Sequence, residues 1–243
     1  MRMAVVGLGR MGHEVVSVLH ERGHEPCPVV RGQAFPDGCA VAIDFTRADA
    51  VVANVSAALQ AGARLVLGTT GWSAQLSEVR SAIEAAGSGL VYAANFSLGV
   101  NLFYRVVRDA ALLMARFPDY DPYITERHHR GKQDAPSGTA QALAALLEAS
   151  GGRRSRAVRE LHGALPDDGF HVSALRAGGI VGEHTVGFDS GGDEILLEHR
   201  ARTRRGFALG SVLAAEWIAT RTGVHSFDEV VEHLLARGSF AGR

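Results

Sequence analysis

The sequence predicts an α/β protein: a Rossmann-type, parallel-sheet dinucleotide-binding domain plus a smaller α+β domain with an open mixed sheet. Three observations carry this. Over about the first hundred residues, short apolar runs alternate with helix-length segments, the pattern of βαβ units. The first run leads directly into Gly7-Leu8-Gly9-Arg10-Met11-Gly12, a G-x-G-x-x-G loop at the start of a helix. From Phe170 onward, three strand-like runs follow one another with only glycine-rich turns between them, as in an antiparallel or mixed sheet.

Taken in order, Met3 to Val6 reads as a strand, Arg10 to Arg22 as a helix and Pro28 to Val30 as a short second strand. Ala40 to Ile43 is the next strand, followed by a helix from about Ala48 to Ala61. Arg64 to Leu67, Ser73 to Ala86 and Leu90 to Ala93 repeat the strand–helix–strand alternation. A long helix runs from about Leu98 to Arg116 and stops at Phe117-Pro118, because proline cannot continue it. Tyr120 to Arg127 alternates like a strand, and Ser137 to Ser150 reads as a helix ended by Gly151-Gly152-Arg153-Arg154. Phe170 to Arg176, Glu183 to Phe188 and Glu194 to Arg202 are the three consecutive strands. Helices over Phe207 to Thr220 and Phe227 to Ala236 close the chain and are expected to pack back on the first domain.

Composition narrows the function. A chain of 243 residues with 47% hydrophobic and 21% charged residues can bury a full core in one large domain or two modest ones. A net charge of −1 provides no field for nucleic acid or an anionic membrane. No apolar run approaches bilayer length, and the start of the chain lacks the layout of a signal peptide, so a cytoplasmic location is expected. Cys27 and Cys39 have no CxxC spacing and read as two buried thiols.

The glycine loop carries the first chemical reading. Between a strand and a helix, such glycines allow a tight turn and close approach of the backbone to a pyrophosphate held by the helix N-terminus. Gly7, Gly9, Arg10, Met11 and Gly12 are therefore expected to bind a dinucleotide, although a purely structural glycine turn would look similar. The acidic residue that would hold an adenosine ribose is missing at the end of the second strand, which reads Val29-Val30-Arg31. Arg31 can pair with a 2′-phosphate, so the cofactor is NADPH or NADH with a lean to NADPH; a solvated loop arginine would carry no such meaning. Gly68, Thr69 and Thr70, and then Ala93, Ala94, Asn95 and Phe96, follow two further strands. Ligands of open α/β sheets bind beyond the carboxyl ends of strands, so both loops are expected to line the nicotinamide half of the crevice.

The second reading rests on lysine usage. Lys132 is the chain's single lysine, set in Glu126-Arg127-His128-His129-Arg130-Gly131-Lys132. Arginine can meet surface and phosphate contacts, but it does not give up its proton near neutral pH, whereas an ammonium can be tuned to do so. A lone lysine beside two histidines therefore points to proton transfer. Asp134-Ala135-Pro136-Ser137-Gly138-Thr139-Ala140 then opens a helix, and free amides at a helix start hold carboxylate or phosphate. Together they describe a small anionic substrate next to titratable donors. No second cluster with ligand spacing is visible and HExxH is absent, so no metal is expected.

The segment from Glu126 to Ala140 resembles the signature of the dihydrodipicolinate reductase family. Asp44-Phe45-Thr46, Gly68-Thr69-Thr70-Gly71, Ala93-Ala94-Asn95-Phe96-Ser97 with Gly99-Val100-Asn101, and Arg176-x-Gly178-x-Ile180-x-Gly182-Glu183-His184 match in order over essentially the whole chain. The resemblance implies NAD(P)H-dependent reduction of a small cyclic dicarboxylate in the diaminopimelate and lysine pathway. It implies His128 as the acid–base residue and Lys132 as the proton donor, with His129, Ser137, Gly138, Thr139 and Arg204 around the substrate. It further implies a dinucleotide-binding domain over 1–98 and 206–243, a substrate-binding and oligomerisation domain over 99–205, and a homotetramer. Because the glycine loop and the His/Lys loop lie in different domains, closure on substrate is expected. The first glycine loop is one residue shorter than in many members, and the stretch between Arg31 and Ala40 is also short. Other two-domain nicotinamide enzymes, such as semialdehyde or homoserine dehydrogenases, would call for a catalytic cysteine or a differently placed lysine. A non-catalytic nucleotide sensor would keep the glycines and lose the proton donors.

Overall fold

Strands and helices alternate in the first part of the structure, a computed structural model that describes residues 1–30 and 35–237. They are β1 (Arg2–Val6), α1 (Arg10–Glu21), β2 (Glu25–Val29), β3 (Val41–Asp44), α2 (Val51–Gln60), β4 (Arg64–Leu67), α3 (Leu76–Ala85) and β5 (Gly89–Tyr92). The middle of the chain forms α4 (Leu98–Met114), β6 (Asp121–His128), α5 (Gly138–Ala149), β7 (Arg156–Val158), β8 (Gly169–Arg176), β9 (Glu183–Asp189) and β10 (Glu194–Arg200). The last elements are α6 (Arg205–Ile218), β11 (Gly223–Ser226) and α7 (Phe227–Ala236). No helix among the described residues is long and apolar enough to cross a membrane.

The chain divides into two units, one formed by Met1–Leu98 with Arg204–Arg243 and the other by Gly99–Thr203. In the first, the strands run in the order β11-β5-β4-β3-β1-β2, every neighbouring pair parallel. β3 is buried along its whole length and β1 everywhere but Arg2, as befits strands covered on both faces. Strand order reverses beside β1, whose carboxyl end feeds the glycine loop; such a switch point opens a crevice for a ligand. α6 packs against α1 and against β3, β4 and β5, so the C-terminal segment completes this unit. Both cysteines are free and buried here.

Two strands escape the sequence reading. β11 holds Val224 as its one strongly apolar residue, too little for a periodic signal, and gains its place by parallel pairing with β5. β7 is only Arg156–Val158 and depends on β8 for its partner. β2 begins at Glu25, earlier than the expected Pro28. Its prolines are tolerated because it is an edge strand. The Glu25 amide donates to Met1 O and the Val29 carbonyl accepts from Gly7, so alternation turns Pro26 and Pro28 towards the open side. The helices expected from Ala48 and Ser73 each open with a single 3-10 turn before α2 and α3.

The second unit is a mixed sheet in the order β10-β9-β6-β8-β7. β9 pairs antiparallel with both β10 and β6, while β8 pairs parallel with β6 and β7. Phe103 and Val107 of α4 and Leu143 and Leu147 of α5 cover one face, packing on Ile124, Val172 and Val186. Along β6 this inner face also takes Glu126 and His128, because side chains two apart in a strand share a face.

Candidate active site

In the first unit, the glycine loop is shaped to receive an anion. Gly7 has φ +86° and its amide donates to Val29 O, which turns the chain out of β1. A Cβ on Gly12 would lie 2.1 Å from Gly7 O, so only glycine lets α1 start this close to the loop. A Cβ on Gly9 would meet nothing within 4 Å, which leaves its backbone approachable. Gly9 caps α1 without any side-chain hydrogen bond, so the helix amides are not closed off by a capping group. Arg10 is exposed and Met11 partly so. These features fit a dinucleotide pyrophosphate.

Neighbouring loops are braced by Asp44, a buried carboxylate that the sequence reading gave no role. It accepts from the Thr46 amide at 2.7 Å and from Asn54 Nδ2 at 2.8 Å, with Thr69 Oγ1 at 3.4 Å. Val6, Gly7, Val29, Thr46, Arg47 and Asn54 line a groove of about 440 Å³ beyond these strand ends. Thr70 and Ala94 are exposed, and Gly68 and Ala93 are partly so. The Asn95 side chain accepts from the Ser97 amide at 2.8 Å. Phe96 is only 1% exposed and packs on Phe45 and Phe227, so any contact it makes with a cofactor must come from its backbone. Arg204 belongs to this unit as well, lining a groove with Leu8, Gly9, Arg10, His13 and Glu14. Arg31 lies outside the described residues.

In the second unit, β6 ends at His128 and the chain turns tightly, the Lys132 amide donating to His129 O. His128 is buried and His129 partly exposed. Lys132 Nζ lies 2.6 Å from Asp134 Oδ1. Ser137 caps α5, its Oγ accepting from the Ala140 amide at 3.2 Å. Burial resists ionisation of Asp134, yet Lys132 and the Gly138 amide together hold its carboxyl below the usual range. The chain's own carboxylate thus reaches this helix start. Gly138 is exposed and Thr139 partly so.

Beneath the loop lies a polar cluster assembled by sheet register. Glu126 stands opposite His184 of β9, and His128 stands opposite Arg176 of β8. Glu126 Oε2 is 2.5 Å from His128 Nδ1. Its Oε1 accepts from Arg176 Nη2 at 2.7 Å and from the Ser137 amide at 2.9 Å. Burial opposes the charge on Glu126, but His128, Arg176 and Ser137 outweigh it and hold the carboxyl at about 2. His184 Nε2 is 3.2 Å from Ser137 Oγ, and its ring lies edge-on to His128 with centroids 5.1 Å apart. Glu126, His128 and His184 offer metal-ligand atoms within 4.8 Å of one another, a grouping that His184 joins only through folding. Glu126 Oε1 is engaged by Arg176 and Ser137, while Oε2 makes an ion-pair contact with His128 and no aligned hydrogen bond. The sequence reading gave Glu126, Arg176 and His184 no role; the i, i+2 spacing of Glu126 and His128 in a strand was the available signal.

Burial, helped by the neighbouring His128, pushes the His184 pKa from 6.5 down to about 4. The unfolded chain therefore takes up this proton at higher pH than the folded one. Stability from this group is complete above about pH 6.5 and is lost as pH falls towards 4. Wild-type protein should lose denaturant resistance between pH 7 and pH 4.5, and His184→Gln should lose less, by on the order of a few kcal/mol. Parallel pH profiles for the two proteins would contradict the burial argument.

Two family models match the chain: dihydrodipicolinate reductase, N-terminus, over residues 29–96, and dihydrodipicolinate reductase, C-terminus, over residues 99–231. Among curated relatives, 4-hydroxy-tetrahydrodipicolinate reductase of Natronomonas pharaonis is 38% identical over 255 residues, covering 95% of this chain and 100% of its own. That of Christiangramia forsetii is 34% identical over 240 residues, covering 96% and 99%. Among solved structures, a dipicolinate-bound dihydrodipicolinate reductase from Paenisporosarcina sp. TG-14 superposes with a TM-score of 0.70 at 24% identity, covering 93% of this chain and 97% of that one.

Proposed function

Since the chain belongs to the dihydrodipicolinate reductase family, we propose which of its residues carry the reaction and which cofactor it prefers. It reduces 4-hydroxy-tetrahydrodipicolinate to tetrahydrodipicolinate with NAD(P)H, within lysine and diaminopimelate biosynthesis. The 4-hydroxyl leaves as water, giving dihydrodipicolinate; a bound nicotinamide dinucleotide would supply hydride to that ring, and a proton must arrive at the adjacent carbon. His128 and Lys132 handle that proton, Lys132 as the donor and His128 as the acid–base group. His129, Ser137 and the amides of Gly138 and Thr139 hold substrate carboxylate. One observation supports this assignment above all: two titratable donors sit within a few residues of a helix start that already engages the Asp134 carboxylate.

The Met1–Leu98 and Arg204–Arg243 unit is the dinucleotide-binding domain in this reading, and the Gly99–Thr203 unit the substrate domain. Gly7, Gly9, Arg10, Met11 and Gly12 take the pyrophosphate, while Gly68 to Thr70 and Ala93 to Phe96 flank the nicotinamide. Arg204 lines the glycine-loop groove, a position from which a guanidinium serves a bound anion. NADPH is preferred, since Arg31 follows β2 and Arg47 lines the adjoining groove, two cations suited to a 2′-phosphate. The working form is a homotetramer in the cytoplasm. Its assembly would use the outer face of the second sheet, where register places the exposed Leu175 and Leu196 on the same side.

Steady-state oxidation of NADPH and of NADH, each with freshly generated substrate, tests the cofactor assignment. The protein should run at tetramer mass by light scattering in the same buffer. We expect kcat/KM to favour NADPH; an equal or reversed ratio would refute the 2′-phosphate reading.

A further inference from the structure

Glu126 is more buried than any exposed ion pair requires, and its two carboxylate oxygens face different tasks. Oε1 is fixed by Arg176 Nη2 at 2.7 Å and by the Ser137 amide at 2.9 Å. Oε2 is left against His128 Nδ1 at 2.5 Å, an ion-pair contact between two buried atoms, neither of which makes an aligned hydrogen bond to any other group. Arg176 is itself held by the Asp134 carbonyl at 2.5 Å, and Ser137 Oγ meets His184 Nε2 and the Ala140 amide. The carboxylate is thus braced from β8, from the loop and from the start of α5, and it cannot swing away from the imidazole. An ion pair serving stability alone would need only Arg176.

We propose that Glu126 is a positioning residue: it fixes the His128 ring with its proton on Nδ1, so that Nε2 is the atom offered to substrate. The inference rests on the assignment of His128 to proton transfer in the reduction. A carboxylate oxygen 2.5 Å from Nδ1 would repel a lone pair on that nitrogen, so it selects the Nδ1–H form and leaves the lone pair on Nε2. The other groups around the ring agree. His184, pushed down to about 4 mainly by burial, is neutral at pH 7 and brings no competing charge. On the Nε2 side the neighbour is Gly182, where a Cβ would come within 3.0 Å of that nitrogen; glycine keeps this flank free. Because the same carboxylate also anchors the Ser137 amide, one residue keeps the imidazole and the substrate-holding helix start in fixed register.

Histidine tautomers are distinguishable by the 15N shifts and couplings of the ring. Spectra of 15N-histidine-labelled protein at about pH 9, with His128 assigned by its absence in His128→Asn, should show His128 as Nδ1–H. Free imidazole side chains favour the other form, so this result is diagnostic. In Glu126→Gln, the His128 population should move towards Nε2–H, and kcat should fall by on the order of 10²-fold with a smaller change in KM. An Nε2–H ring in the wild-type protein overturns the proposal without any variant, so a poorly folding Glu126→Gln would not shield it. An unchanged tautomer in the variant, or kcat within twofold of wild type, overturns it as well. If wild-type protein fails to turn over substrate while His128 is Nδ1–H, the functional assignment falls and the positioning geometry stands.

Discussion

Lys132→Arg is expected to lower turnover by about 10²-fold or more, with substrate KM changed only a few-fold and the unfolding temperature unchanged. The side chain is partly exposed and paired with Asp134 Oδ1 at 2.6 Å, a contact that a guanidinium can also make. Charge, ion pair and carboxylate attraction therefore survive the substitution. What is lost is an ammonium able to hand a proton to substrate in the transition state, which a guanidinium with its pKa above 12 does far less readily. Steady-state kinetics beside a thermal melt separate the two possibilities. A variant at near wild-type rate would show that only the positive charge of Lys132 is used.

The second large effect is expected at the glycine loop, where two neighbouring glycines have different jobs. In Gly12→Ala the new methyl would stand 2.1 Å from Gly7 O, a backbone atom that moves only with the loop. We expect a stability loss of about 3 kcal/mol, as for forced overpacking, together with weakened cofactor binding. Gly9→Ala is the contrasting case, since its methyl meets nothing within 4 Å and Gly9 has φ −75°, which alanine adopts freely. The fold should hold while cofactor affinity falls at least about 10-fold, because the methyl would occupy the path proposed for the pyrophosphate. Thermal melts and NADPH titration by fluorescence check both variants. Full cofactor affinity in Gly9→Ala would remove the pyrophosphate from this loop.

Much of this was legible in the chain because the informative signals are local. The Gly7 to Gly12 spacing and the His128 to Thr139 segment are each read from one short stretch, and the strand–helix alternation from successive local runs. What escaped depends on distant partners. β11 has no amphipathic pattern and exists because β5 offers an edge. Arg176 and His184 reach Glu126 only through the register of β8 and β9 on β6, and no spacing within one strand could announce it. Asp44 reads locally as the polar end of a buried strand; its bracing of Thr46, Asn54 and Thr69 appears once α2 and the loop after β4 come up to it. Phe96 is the converse case: its position after a strand points to cofactor, and packing places its ring in the core, which leaves only its backbone for that role.

The central claim is that hydride passes from a nicotinamide to the ring of a cyclic dicarboxylate while this chain supplies the proton. The most direct test is mass spectrometry of the product formed with NADPH or NADH deuterated at the transferable C4 position. One deuterium should appear in the product for each cofactor oxidised, and Lys132→Arg should slow its appearance without altering that ratio. Unlabelled product, or no oxidation of either cofactor in the presence of substrate, would contradict the account.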